Sequence, residues 1–200
     1  IDLLTDAVAG FYAPKTKELY LIELPMSGAI ADMMFEMSMA HELTHALEDQ
    51  YYDLTDMVEA VKDNSDAVIA RKCIVEGTAS LLGFEYLLLK RSNGQMDSAS
   101  ERAPDLEQQI LQSLQLGQTP VIKRTPNILK LPLMFPYHAG AGVVQGFRKS
   151  GKGWDDINEF LVNPPVSSEQ VLHREKYFDR DKIDYPVEIS AKAFEAALPK

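Results

Sequence analysis

Residues 29–52, AIADMMFEMSMAHELTHALEDQYY, contain no Gly or Pro and are dense in Ala, Met, Leu and Glu. Apolar groups recur at Ile30, Met33, Met34, Met37, Ala40 and Leu43 or Thr44, in steps of three and four that predict one long helix. His41-Glu42-Leu43-Thr44-His45 lies in its middle. An i, i+4 pair differs by only about 40° around a helix, so the two imidazoles point the same way one turn apart and can hold one divalent cation. Glu42 projects beside the pair, where it can hold a water and take its proton. The rival reading, two histidines on a solvent-facing surface, is weakened by the flanking Met37, Met39, Ala40, Ala46 and Leu47, because buried imidazoles need polar partners. Chance is a weak rival too, since H-E-x-x-H arises in roughly one sequence of this length in two hundred.

A catalytic metal that keeps one position open takes three protein ligands. The extended pattern H-E-x-x-H-x-x-G-x-x-H is not met, because Glu48 stands at its Gly and Tyr51 at its third His. The third ligand must come from elsewhere. Asp63-Asn64-Ser65-Asp66 is a cluster of cap-type residues ahead of a second long helical pattern, Ala67 to Lys90, with Val68, Ile69, Cys73, Val75, Ala79, Leu82 and Tyr86 on its apolar side. Glu76, in Val75-Glu76-Gly77-Thr78-Ala79, lies on or beside that stripe, and Gly77 after it lets another backbone come close. A carboxylate there needs a cation or a partner. The candidates are a metal shared with His41 and His45, a solvent-facing position, or a buried ion pair with Arg71 or Arg148; Glu85 is the second choice of ligand. Asp49, one turn beyond His45, can orient a ligand imidazole or join Glu48 in a solvated acidic cluster.

Upstream, Gly10 to Ile22 reads as a β-hairpin around a polar turn carrying Pro14 and Lys15. Downstream, Arg91 to Ala103 is polar, with Asn93-Gly94 as a turn signal, and predicts a surface loop. Asp105 to Leu116 predicts a helix begun by Pro104 and closed by Gly117. Prolines every four to six residues from Pro120 to Pro136 predict an extended, irregular crossing. Tyr137 to Lys149 and Trp154 to Leu161 predict short helices, Asn163-Pro164-Pro165 a stop, and Ser167-Ser168-Glu169-Gln170 another helix start. A final strand at Pro186 to Ile189 and a helical tail complete the pattern. The expected fold class is α+β and predominantly helical. One domain covers 1–200, with the hairpin and both long helices in 1–90 and a mostly helical part in 91–200.

At 200 residues with 46% hydrophobic and 25% charged side chains, the chain can bury a sizeable core. Thirty acidic against twenty basic residues give a net charge of -10, which argues against nucleic-acid or anionic-membrane partners. No run of about 18 apolar residues is present to span a bilayer. The single Cys73 excludes an internal disulfide, and with no neighbouring base it makes a poor nucleophile. The start at Ile1 suggests a removed leader and an extracellular or periplasmic location.

H-E-L-T-H on one helix with a downstream helical E-G-T-A resembles the gluzincin branch of the zincin metallopeptidases, and more closely the bacterial peptidase-MA-like proteins. Gly10-Phe-Tyr-Ala-Pro followed by Leu19-Tyr-Leu-Ile is similar to the stretch before the active-site helix in zincins, whose edge strand pairs with an extended substrate. The resemblance covers about residues 8 to 90 with specific motifs and the C-terminal part more loosely. It implies a zincin-like fold, Zn²⁺ held by His41, His45 and Glu76, a peptide or protein substrate, and hydrolysis by a metal-activated water. Glu42 is then the general base and the proton donor to the leaving amine. Related enzymes add a Tyr or His from the C-terminal region to meet the oxyanion. His173 and Tyr177, four residues apart, are the first candidates here, with Tyr137 and His138 behind them. The single hairpin is smaller than the usual zincin sheet. The span from His45 to Glu76 is longer than in the best-known gluzincins, which predicts an inserted loop or turn near Asp53 to Asn64. Two other readings compete: a catalytically inactive zincin-fold scaffold with structural zinc, and a di-iron carboxylate bundle, for which a second E-x-x-H is missing.

Overall fold

The computed structural model describes residues 10–22, 27–92, 105–116 and 120–182, together with positions 192 and 196. The loop expected over 91–103, apart from Arg91 and Ser92, lies outside the described residues, as does the strand expected at 186–189. Within them the chain is mostly helical with one two-stranded antiparallel sheet.

The hairpin pairs β1 (Gly10–Ala13) with β2 (Glu18–Leu21), Gly10 opposite Leu21 and Tyr12 opposite Leu19. Phe11 and Tyr20 stack across it at 4.7 Å between ring centroids. Helix α1 (Ala29–Tyr52) runs unbroken through the histidine motif and ends at Asp53, whose backbone is left-handed at φ 45°. The Asp53 carboxylate accepts from the Asp56 backbone amide and starts α2 (Leu54–Glu59), so the extra chain between the histidines and Glu76 is a short helix. The Asn64 side chain accepts from the amides of Asp66 and Ala67 to open α3 (Ser65–Arg91).

Helix α3 is the centre of the fold. It packs against α1, which carries the hairpin, and against α6 (Asn127–Lys149). Helix α4 (Leu106–Leu116) packs on α6, and α7 (Trp154–Val162) and α8 (Ser168–Leu172) close the end of the α3–α6 pair. Two short helices, α5 (Pro120–Arg124) and α9 (Glu175–Phe178), complete the set, followed by a 3₁₀ turn at Arg180–Lys182. The core combines Ala70, Cys73, Ile74 and Leu81 of α3 with Val143 and Val144 of α6, Ile157 and Phe160 of α7 and Val171 of α8. Burial pushes the Cys73 thiol up to about 12, reinforced by Glu76 and Asp66, so it remains protonated and inert.

The extended crossing expected from Pro120 to Pro136 is instead two helices. Pro126 is the N-cap of α6, a position that needs no donor from it, while Pro132 and Pro136 sit inside the helix. Each internal proline removes a backbone hydrogen bond, at about 3 kcal/mol by intrinsic propensity. The continuous buried run from Ala139 to Gln145 against α3 outweighs that cost. The approach is close because both helices are notched by glycine. A Cβ built on Gly77 would stand 3.0 Å from the Cα of Gly140, and one on Gly140 would overlap the Cys73 carbonyl. Among the described residues no helix is long and apolar enough to cross a membrane.

Candidate metal centre

Helices α1 and α3 bring three ligand atoms to one point. His41 Nε2 lies 3.1 Å and His45 Nε2 3.5 Å from Glu76 Oε2, and the two imidazole nitrogens are 3.0 Å apart. His41, His45 and Glu76 thus form a group that can hold a metal ion. The donor set fits. Ligands about 2.0–2.2 Å from a tetrahedral ion stand about 3.3–3.5 Å from one another, close to the observed triangle. Two imidazole nitrogens and a carboxylate oxygen aimed at a common centre need a cation or shared protons to relieve their lone-pair repulsion.

Electrostatics follow the geometry. Burial alone would raise Glu76, but hydrogen bonds and charge from His41 and His45 outweigh it and hold the carboxyl down to about 2. Burial likewise opposes the charge on His45, yet Glu76, then Glu42 and Glu48, move its pKa above the ordinary imidazole value. In chelator-treated protein the Glu76 contribution to stability is present above pH about 4.5 and lost as pH falls toward 2. The His45 contribution is full below about 6.5 and lost as pH rises through its raised value. The stability gap between the parent and Glu76→Gln is therefore expected to be widest between about pH 4.5 and 6.5 and to narrow on both sides. Urea denaturation across pH 2–9 measures it, and a gap independent of pH contradicts the pairing.

Glu42 is buried beside the ligands but is not one of them. Its Oε2 accepts the Tyr12 backbone amide of β1 at 2.8 Å, and desolvation raises its pKa. The glycine at position 10 serves the hairpin: a Cβ there would stand 2.8 Å from Leu21 Cδ2 and 2.9 Å from the Tyr20 carbonyl oxygen of the paired strand. Two turns farther along α1, Asp49 accepts from the Tyr12 hydroxyl at 2.8 Å, Lys17 Nζ at 2.5 Å and the Leu54 amide at 3.1 Å. Asp49 thus neither orients an imidazole nor joins a solvated cluster; it fastens the hairpin and the start of α2 to α1. Its neighbour Glu48 turns inward and is buried, against the Thr78 hydroxyl of α3. Desolvation pushes the Glu48 carboxyl up to about 7. Glu85, the second choice of ligand, is engaged elsewhere, with Arg148 Nε 3.4 Å away.

Helix α6 presents Tyr137 to the same group. Its ring lies nearly parallel to that of His41, 6.0 Å between centroids, and its hydroxyl is hydrogen-bonded to Glu76. Burial, with Glu76 and Glu42 adding, raises the phenol pKa well above its usual value, so the hydroxyl keeps its proton and can donate it.

The structure does not bring His173 and Tyr177 to this group. His173 is exposed beside Glu175, and the Tyr177 hydroxyl donates to the Asn163 carbonyl while its ring stacks on Phe160. That aromatic cluster also holds Phe147, ten residues along α6 from Tyr137, which is about 15 Å of helix. His138 points toward Phe135, one residue off the face that Tyr137 uses. Tyr12, Glu48 and Tyr137 are the residues that spacing alone undervalues. The signals were present: a strand aromatic ahead of the motif, a carboxylate three residues after His45, and a Tyr beginning a small-residue run. No model of a known protein family, no curated protein and no solved structure matches this chain.

Proposed function

We propose that the chain is a zinc-dependent peptidase with a zincin-type site, in which His41, His45 and Glu76 hold the metal and Glu42 handles the proton. The convergence of two imidazoles and a carboxylate on one point, beside a second carboxylate that is not a ligand, carries this reading. Two His and one Glu make a catalytic zinc set that leaves a position open, and partial exposure of His41 and Glu76 keeps that side accessible. Zinc bound there supplies Lewis-acid polarisation of the scissile carbonyl and acidification of a water. Glu42, oriented by the Tyr12 amide, takes the proton of the attacking water and returns it to the leaving amine. Its raised pKa suits both halves of that exchange. The Tyr137 hydroxyl, held at the ligand group from α6, donates to the oxyanion that develops on the substrate.

The test is hydrolysis of a mixed peptide library, with products identified by mass spectrometry, before and after chelation and zinc restoration. Cleavage that disappears with chelator and returns with zinc is expected. A parent protein that retains zinc and cleaves nothing contradicts the peptidase reading and favours a structural metal in a scaffold. Tyr137→Phe is expected to lower kcat by about 10²-fold with zinc content unchanged. Unaltered kcat in that variant removes Tyr137 from the mechanism.

A further inference from the structure

His45 has a second ring nitrogen that the metal group does not use. Its Nδ1 is buried and has no hydrogen-bond partner, and the same is true of Glu48 Oε2. Both residues are 8% exposed, and they lie three positions apart on α1, where side chains are neighbours. Helical side chains lean toward the N-terminus, so Glu48 reaches back over the turn that carries His45. Its carboxyl also lies against the Thr78 hydroxyl of α3.

With its Nε2 lone pair committed to a cation, a neutral imidazole carries its proton on Nδ1, and a buried N–H requires an acceptor. The acceptor available is the orphaned oxygen of Glu48. We propose that Glu48 is a positioning residue that accepts the Nδ1–H of His45, setting the ring's tautomer and orientation and raising its affinity for the metal. This rests on the metal reading of His41, His45 and Glu76 but not on peptidase activity. Asp49, which the sequence offers for the same task, is occupied by Tyr12, Lys17 and Leu54.

The experiment is zinc affinity by competition with a chromophoric chelator, on the full chain, for the parent, Glu48→Gln and Glu48→Met. Carboxylates of this kind are worth about 10–100-fold in metal affinity, so Glu48→Met is expected to bind zinc that much more weakly, with Glu48→Gln, a neutral acceptor, in between. Zinc affinities within twofold of the parent in both variants overturn the proposal while leaving the metal reading intact. A parent that binds no zinc overturns both. Nitrogen-15 NMR of the zinc-loaded parent needs no variant to fold. A downfield, slowly exchanging Nδ1–H on His45 is expected, and a His45 ring carrying its proton on Nε2 overturns the assignment.

Discussion

Replacing Glu42 by Gln is expected to stop peptide hydrolysis while leaving about one zinc per chain in place. The amide has the shape of the carboxylate, and its oxygen can still accept the Tyr12 backbone amide, so β1 remains seated on α1. What is lost is the proposed base. General acid–base catalysis contributes about 10²–10⁴-fold, and in the proposed mechanism one group serves both proton transfers, so the upper end of that range is expected in kcat. Zinc content is the internal control, because Glu42 lies outside the ligand triangle. Substantial activity in Glu42→Gln contradicts the proton-transfer role, and loss of zinc in that variant places Glu42 among the ligands.

The second large effect is expected far from any titratable chemistry. Gly140→Ala adds one methyl group where the backbones of α3 and α6 cross, at a point 2.8 Å from the Cys73 carbonyl carbon. The obstacle is helical backbone, which cannot rotate away as a side chain does, so the two helices must separate. Overpacking in cores costs about 1–3 kcal/mol, and a backbone overlap belongs at or above the top of that range. The damage reaches the site, because Gly140 lies three residues from Tyr137 and Cys73 three residues from Glu76. Urea denaturation is expected to show stability reduced by about 3 kcal/mol, accompanied by weaker zinc binding. Parent-like stability contradicts the close crossing.

Much of the N-terminal half was legible because local rules and tertiary packing agree there. Helix α1 spans the same residues that its Gly- and Pro-free run marks, and the Asn64 cap opens α3 within the cap-type cluster. Glu76 stood out as a carboxylate on an apolar stripe before a glycine, and the structure places it with both histidines. The C-terminal half was harder, for a physical reason. Pro132 and Pro136 argue locally against helix, and the burial that overrides them comes from α3, more than fifty residues earlier in the chain. Reading Tyr137 as the start of a short helix rather than a position within a long one concealed which face it shared with the metal group. His173 and Tyr177 have suitable chemistry and suitable mutual spacing, but their side chains are spent on the surface and in the aromatic cluster. Spacing identifies a shared face and leaves open what the face meets.

The most direct test of the metal centre is elemental analysis by plasma mass spectrometry of protein purified without chelator, comparing the parent with His45→Ala and Glu76→Ala. About one zinc per chain in the parent, lost from both variants, is the expected result. Zinc retained by Glu76→Ala, or a parent that carries two irons or no metal, contradicts the site formed by His41, His45 and Glu76.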